Sequence, residues 1–176
     1  KVNGVEITPN INKLSKEGMY FSKFYPQISM GTSSDSEFTL STGLLPNSLG
    51  TVFVNYYNRK YETMENAFKE KGYYTFAMHA RKNMYNTLGY QDFFDGAYYN
   101  IPTDKKSEDF VGLGLSDRSF FEQIIPILKN INESHDKYMG KIITLSNHSP
   151  FDDVTKYGDI DLGYLNDTEM GNYLKS

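Results

Sequence analysis

The stretch YYTFAM, residues 73–78, is a near-continuous apolar run that ends at His79. Such a run is typical of a strand buried on both faces, as in a parallel sheet. The stretch KIITL, residues 141–145, has the same character, and His148 follows it closely. The two stretches therefore predict two buried parallel strands, each with a histidine just beyond its end.

Helical patterns alternate with these strands. Each has helix-like spacing of apolar residues or a start or stop residue. The predicted helices are residues 9–17 after a Thr8 cap, 35–42, 63–71, 83–88, and a longer one that Ser116 caps and Pro126 bends or shortens. Residues 19–25 are expected to be extended, and residues 100–110 to form a surface loop. The alternation predicts an α/β fold with a largely parallel sheet.

A serine cluster, SSDSEF at residues 33–38, begins the second of these helices. Ser34 and Glu37 have the spacing of a capping box, so one interpretation is that the serines only cap the helix. A helix N-terminus also favours a phosphate, or a serine alkoxide that attacks one. Ligands of parallel sheets bind beyond the carboxyl ends of the strands. We therefore expect the cluster, His79 and His148 to converge at one edge of the sheet.

Composition excludes several classes of protein. The chain has 176 residues, a length typical of one domain, and a net charge of −4 that does not suit a nucleic-acid-binding surface. It contains no cysteine, which rules out a catalytic thiol, a zinc–thiolate site and a disulfide. No apolar run has the roughly 18 residues of a membrane span.

Five motifs in the order of one known family extend over nearly the whole chain. They are TPNINKL (8–14), GTSSDSEF (31–38), LGYQDFF (88–94), LGLSD (113–117) and ITLSNHSPF (143–151). The chain resembles the extracellular catalytic domain of lipoteichoic acid synthases and related phosphoglycerol transferases, which belong to the alkaline phosphatase/sulfatase superfamily. The resemblance implies a sandwich with a largely parallel central sheet flanked by helices, incomplete at both ends.

The resemblance also implies roles for individual residues. Ser33 corresponds to the family's hydroxyl nucleophile and metal ligand, with Thr32 as the alternative. His148 corresponds to a histidine that contacts glycerophosphate. His79 and Arg81 correspond, in a shortened loop, to further substrate-binding residues. The remaining histidine, His135, lies in a polar loop and is expected to be solvated.

The implied reaction moves glycerophosphate from a phosphatidylglycerol-like lipid to a polymer or glycolipid acceptor through a covalent intermediate. Mn²⁺, or Mg²⁺, is the implied cofactor. Other metal ligands of the family fall before Lys1 and after Ser176, so residues 1–176 are expected to be a partial catalytic domain that binds Mn²⁺ weakly and is inactive alone. The implied location is the outer face of a Gram-positive cell membrane, with anchoring segments outside this chain.

Two other functions stay open at this point. A phosphodiesterase or phosphatase on the same fold would use water as the acceptor. A sulfatase needs Cys or Ser followed by x-Pro-Ser-Arg, and that motif does not occur. A non-catalytic module would bind glycerophosphate polymer or cell-wall carbohydrate through tyrosines.

Overall fold

A computed structural model describes residues 1–80, 93–98, 110–152 and 157–176. The described helices are α1 (Pro9–Glu17), α2 (Ser33–Thr42), α3 (Val52–Asn55), α4 (Met64–Glu70), α5 (Asp117–Ser134) and α6 (Glu169–Lys175). The described strands are β1 (Tyr74–His79), β2 (Gly96–Tyr98), β3 (Phe110–Val111), β4 (Gly114–Leu115) and β5 (Tyr138–Ile143). The helix predicted at 83–88 and most of the loop predicted at 100–110 lie outside the described residues. None of the described helices is long and apolar enough to cross a membrane.

The central sheet has the order β2-β1-β5, and both strand pairs are parallel. In its register His79 of β1 lies opposite Ile143 of β5, so the two carboxyl ends meet at one edge. Strands β3 and β4 form a separate antiparallel pair. The predicted α/β fold with a largely parallel sheet is confirmed.

Strand β1 is covered on both faces because successive side chains point to opposite sides. Ala77 packs on one face with Phe38 of α2, Phe53 of α3 and the aromatic rings of Phe93 and Phe94. The other face carries Phe76 and Met78 against a larger core. That core is completed by Ala80, Leu115, Phe120, Ile124, Ile131 and Leu145, largely from α5 and the segments beside it. Helices therefore flank the sheet on both sides, and the buried strand predicted at 73–78 is confirmed.

The second predicted strand differs from the structure in position and burial. Strand β5 covers 138–143 rather than 141–145, and its side chains alternate between exposed and half-buried. It ends early because Asp117 Oδ1 accepts the backbone N–H groups of Leu145 and Ser146, at 2.7 and 3.0 Å. Those donors are then not available to a strand ladder. Its exposure follows from its place at one edge of the three described strands.

Helix α5 begins as predicted, since Ser116 Oγ accepts the N–H of Ser119 at 3.2 Å. Of the two effects expected of Pro126, shortening does not occur, because the helix continues for 18 residues, and bending stays a prediction. Pro126 is exposed. Pro126 has no N–H to donate to the carbonyl of Glu122, and both residues are exposed.

Helix α1 has Thr8 as its N-cap residue and ends at Gly18, as predicted, although the Thr8 side chain makes no cap hydrogen bond. Two smaller predictions need correction. Residues 19–25 form no strand, and their aromatic side chains are exposed. His135 is half-buried rather than solvated, because its ring stacks on Tyr74 with centroids 4.0 Å apart and planes 3° apart.

Candidate active site

A cavity of about 430 Å³ opens at the edge where β1 and β5 end. The start of α2, the end of β1 and the segment after β5 all contribute to its wall. Its lining residues are Gly31, Thr32, Ser33, Ser34, Glu37, Thr51, Phe53, Val54, His79, Leu113, Ile143, Thr144, Leu145 and His148. The expected convergence of the serine cluster with His79 and His148 is therefore confirmed.

The hydroxyl side chains of Thr32 and Ser33 lie at the exposed start of α2. Thr32 is the N-cap residue and has φ +46°, a backbone conformation in which a Cβ atom is strained. Ser33 is the first residue of the helix. Within the described part of the chain its hydroxyl makes no hydrogen bond, so it is open to a ligand in the cavity.

The predicted capping box is wrong. The N-cap residue is Thr32, and its side chain makes no cap hydrogen bond. Ser34 Oγ instead donates to the carbonyl of Gly31 at 2.8 Å. The contact that orders this turn comes from Asp35, whose Oδ2 accepts the N–H groups of Ser29 and Gly31 at 2.8 and 2.9 Å. Asp35 is only 1% exposed.

Gly31 is required at its position by this close packing. A Cβ atom there would lie 2.6 Å from Thr51 Cγ2 and 2.7 Å from Asp35 Cγ, closer than real contacts allow. The loop before Ser33 is therefore held between the Asp35 carboxylate and Thr51. Sequence patterns singled out the serines and overlooked Asp35, although an acidic residue in the first turn of a helix is a recognised signal.

The two cavity histidines differ in exposure. His79 is fully buried at the carboxyl end of β1, and His148 is exposed in the segment after β5. His148 Nδ1 lies 2.6 Å from the carbonyl oxygen of Ser149. A carbonyl can only accept, so this contact requires the proton on Nδ1 and leaves Nε2 for another partner. Arg81, the remaining predicted substrate residue, lies outside the described residues.

Glu37 is a cavity residue that the sequence reasoning assigned only to capping. It lies four residues after Ser33, one helical turn away, so the two residues share a face of α2. The cavity therefore combines hydroxyl, carboxylate and imidazole groups. A helical-spacing check on Ser33 would have found Glu37.

The described residues do not form a metal centre by themselves. Across residues 1–80, 93–98, 110–152 and 157–176 no three histidine, cysteine, aspartate or glutamate side chains are grouped so that they could hold an ion. A divalent cation needs several fixed oxygen or nitrogen ligands. Ser33, Glu37, His79 and His148 line the cavity without making such a group.

Comparison with known proteins agrees with this geometry. A family model described as Sulfatase matches residues 2–174. Lipoteichoic acid synthase 2 of Bacillus subtilis is 34% identical over 185 residues, which covers 100% of this chain and 27% of that protein. The lipoteichoic acid synthase LtaP from Listeria monocytogenes has a matching structure with TM-score 0.85 and 28% identity, covering 99% of this chain and 43% of that one. An alkaline phosphatase superfamily protein from Vibrio parahaemolyticus, at TM-score 0.70 and 22% identity, shares the fold.

The fold and the cavity at its sheet edge thus define an α/β domain of the kind seen in the lipoteichoic acid synthase LtaP. The chain belongs to the sulfatase family, and proteins named lipoteichoic acid synthase are among its relatives. It spans about a quarter of the length of the curated relatives it matches.

Proposed function

We propose that the chain is part of a phosphoglycerol transferase that moves glycerophosphate from a phosphatidylglycerol-like lipid to a polymer or glycolipid acceptor. The observation that carries the proposal is the exposed Ser33 hydroxyl at the start of α2, in one cavity with His79 and His148. The relatives named lipoteichoic acid synthase support the same reaction class.

Ser33 is the proposed nucleophile. Its Oγ attacks the phosphorus of the lipid phosphodiester, a P–Oγ bond forms, and the bond from phosphorus to the diacylglycerol oxygen breaks. The Ser33 proton ends on that leaving oxygen. The acceptor hydroxyl then attacks the same phosphorus, the P–Oγ bond breaks, and the acceptor proton returns to Ser33. The N-terminal end of α2 favours the negative charge of the phosphate throughout.

The histidines are proposed to bind the phosphate and glycerol. His148 is exposed, and its Nδ1 is engaged with the Ser149 carbonyl, so Nε2 is the atom that meets the substrate. His79 forms the buried floor at the end of β1. The role of Arg81 stays a prediction from the sequence.

Mn²⁺ or Mg²⁺ dependence also stays a prediction, as does the extent of the catalytic domain beyond residues 1–176. The superfamily typically uses a divalent metal. The described residues do not supply a ligand group for it, so the roles above are assigned to the chain's own side chains. We propose the outer face of a Gram-positive cell membrane as the site of action, on the strength of the relatives alone.

The test is turnover of a labelled phosphatidylglycerol analogue by the full-length protein, with and without a glycolipid acceptor. Ser33→Ala is expected to lower turnover by at least 10³-fold, since loss of a covalent nucleophile removes the main route. Thr32→Ala is the matched control and is expected to keep activity within about tenfold. Release of free glycerophosphate despite acceptor would indicate a phosphodiesterase instead. Binding without turnover would indicate the non-catalytic module.

A further inference from the structure

One stripe of α2 is buried, and its three residues lie at helical spacing. Asp35, Phe38 and Ser41 are 1%, 2% and 3% exposed. Each makes a different kind of contact. Asp35 accepts two backbone N–H groups of the preceding loop, Phe38 packs edge-on against Phe53, and Ser41 joins a polar cluster. Only the middle contact of the stripe is apolar, and the two ends are polar.

The cluster at Ser41 is a closed ring of three side chains. Lys141 Nζ donates to Glu65 Oε1 and to Ser41 Oγ, both at 2.6 Å. Ser41 Oγ in turn donates to Glu65 Oε1 at 3.2 Å. Glu65 is fully buried, and the Lys141 side chain is 10% exposed. The ring links α2, the first turn of α4, and β5.

Such a ring does little for stability compared with apolar side chains of the same size, because removing two charges from water costs about as much as their attraction returns. It supplies direction instead. Hydrogen bonds fix both the distance and the angle between helix and strand, whereas an apolar contact permits rotation and sliding. A ring of this kind is suited to fixing the rotation of α2 about its axis.

We propose that Lys141, Glu65 and Ser41 are positioning residues for Ser33. Ser33 lies eight residues before Ser41, about 12 Å along a rigid helix, so rotation at one end is transmitted to the other. Polar contacts of Asp35 and Ser41 hold the two ends, and Phe38 is the packed centre between them. The ring is thus expected to aim the Ser33 hydroxyl into the cavity, and this role rests on the proposed function of Ser33.

Ser41→Ala is the decisive variant, because it detaches α2 from the ring and leaves the Lys141–Glu65 pair intact. We expect kcat of the full-length protein on labelled phosphatidylglycerol to fall by about 10–100-fold with KM unchanged within twofold, since small misplacement of a nucleophile slows the chemical step. The Tm should fall by only about 5 °C. Ser36→Ala, at an exposed position of the same helix, is the matched control and should change neither.

A second variant separates positioning from folding. Glu65→Leu with Lys141→Met replaces the buried pair by apolar groups, so the Tm should stay within about 5 °C of the parent. The proposal predicts that kcat nevertheless stays as low as in Ser41→Ala. The proposal would be overturned if the double variant had both the Tm and the kcat of the parent. An unchanged kcat in Ser41→Ala would also overturn it. Lys69→Met, in the half-exposed pair with Asp95 at 3.6 Å, controls for loss of a lysine.

Hydrogen exchange keeps the inference testable if the parent protein shows no phosphoglycerol transfer, which would refute the proposed function alone. The amides of Ser34 and Ser36 bond to Gly31 and Thr32 at the start of α2. Their exchange is expected to quicken about tenfold in Ser41→Ala and to stay unchanged in Lys69→Met. Equal exchange rates in Ser41→Ala and the parent would contradict the positioning role.

Discussion

Thr32 holds the backbone in a conformation that residues with a Cβ atom rarely adopt, immediately before the proposed nucleophile. Its φ of +46° carries a cost of about 1–3 kcal/mol, which surrounding contacts must offset. Strain of this kind concentrates at functional sites, and here it sets the direction from which the chain enters α2. The loop just before it is held by the hydrogen bonds that Asp35 Oδ2 accepts from the N–H groups of Ser29 and Gly31.

Replacing Thr32 by glycine removes the strain. We expect Thr32→Gly to raise the free energy of unfolding by about 1 kcal/mol relative to Thr32→Ala, which retains the Cβ atom. Urea unfolding of both variants measures the difference. A Thr32→Gly protein less stable than Thr32→Ala would show that the positive φ is not strained.

Replacing Asp35 tests the other half of the same turn. Asp35→Ala leaves the N–H groups of Ser29 and Gly31 without their carboxylate acceptor in a tightly packed loop. We expect a loss of about 3 kcal/mol in unfolding free energy, because hydrogen bonds to a charged group are strong and stranded donors are costly. Asp167→Ala, at an exposed position, is the control with an expected change near zero. Equal stability of the two variants would show that the hydrogen bonds accepted by Asp35 do not stabilise the fold.

Among the elements, α5 contains the clearest conflict between local propensity and tertiary structure. Proline in a helix interior costs about 3 kcal/mol, yet α5 continues through Pro126 because Phe120, Ile124 and Ile131 are buried on its inner face. Burial of the inner face therefore outweighs the helix-breaking preference of proline. The missing N–H lies on the exposed side of the helix.

Pro126→Ala should therefore stabilise the protein. It restores one helical hydrogen bond on the exposed side, and we expect the free energy of unfolding to rise by about 2 kcal/mol. Thermal unfolding measures it, with Lys129→Ala as an exposed control on the same helix. A lowered Tm in Pro126→Ala would mean that the proline ring makes a contact that matters more than the missing bond.

The turn after residue 160 provides a pH-dependent element. The pKa of Asp161 lies below its ordinary value, first because its carboxylate accepts the Gly163 N–H and second because it accepts from the Asn166 side chain. A lowered pKa means that the ionised form supports the folded turn above the unfolded pKa, and that this support is lost as the pH falls through the folded pKa.

Asn166→Ala removes the second of these hydrogen bonds. The pKa of Asp161 is then expected to rise towards its ordinary value, so its carboxylate becomes protonated at a higher pH. Carboxyl NMR titration of Asp161 measures the change, with Asn12→Ala as the control. An unchanged titration curve in Asn166→Ala would show that the backbone N–H alone lowers the pKa.

At the scale of the whole molecule, the sequence was sufficient for the α/β class, the buried strand β1 and the meeting of Ser33, His79 and His148. These follow from apolar runs and from the rule that parallel strands share a carboxyl edge. The contacts of Asp117 and the ring of Lys141, Glu65 and Ser41 could not be predicted, because their partners come from distant parts of the chain and apolar periodicity does not register polar groups. The contacts of Asp35 are local, and its place in the first turn of α2 is a sequence signal that was overlooked.

The central claim is that Ser33 carries a glycerophosphoryl group during turnover. It is tested most directly by peptide mass spectrometry of the full-length protein, quenched during reaction with phosphatidylglycerol. The account predicts a mass increase of one glycerophosphoryl group on the peptide that contains Ser33, located to that residue by fragmentation and absent in Ser33→Ala. A modification located on Thr32, or continued turnover by Ser33→Ala with no modified peptide, would contradict it.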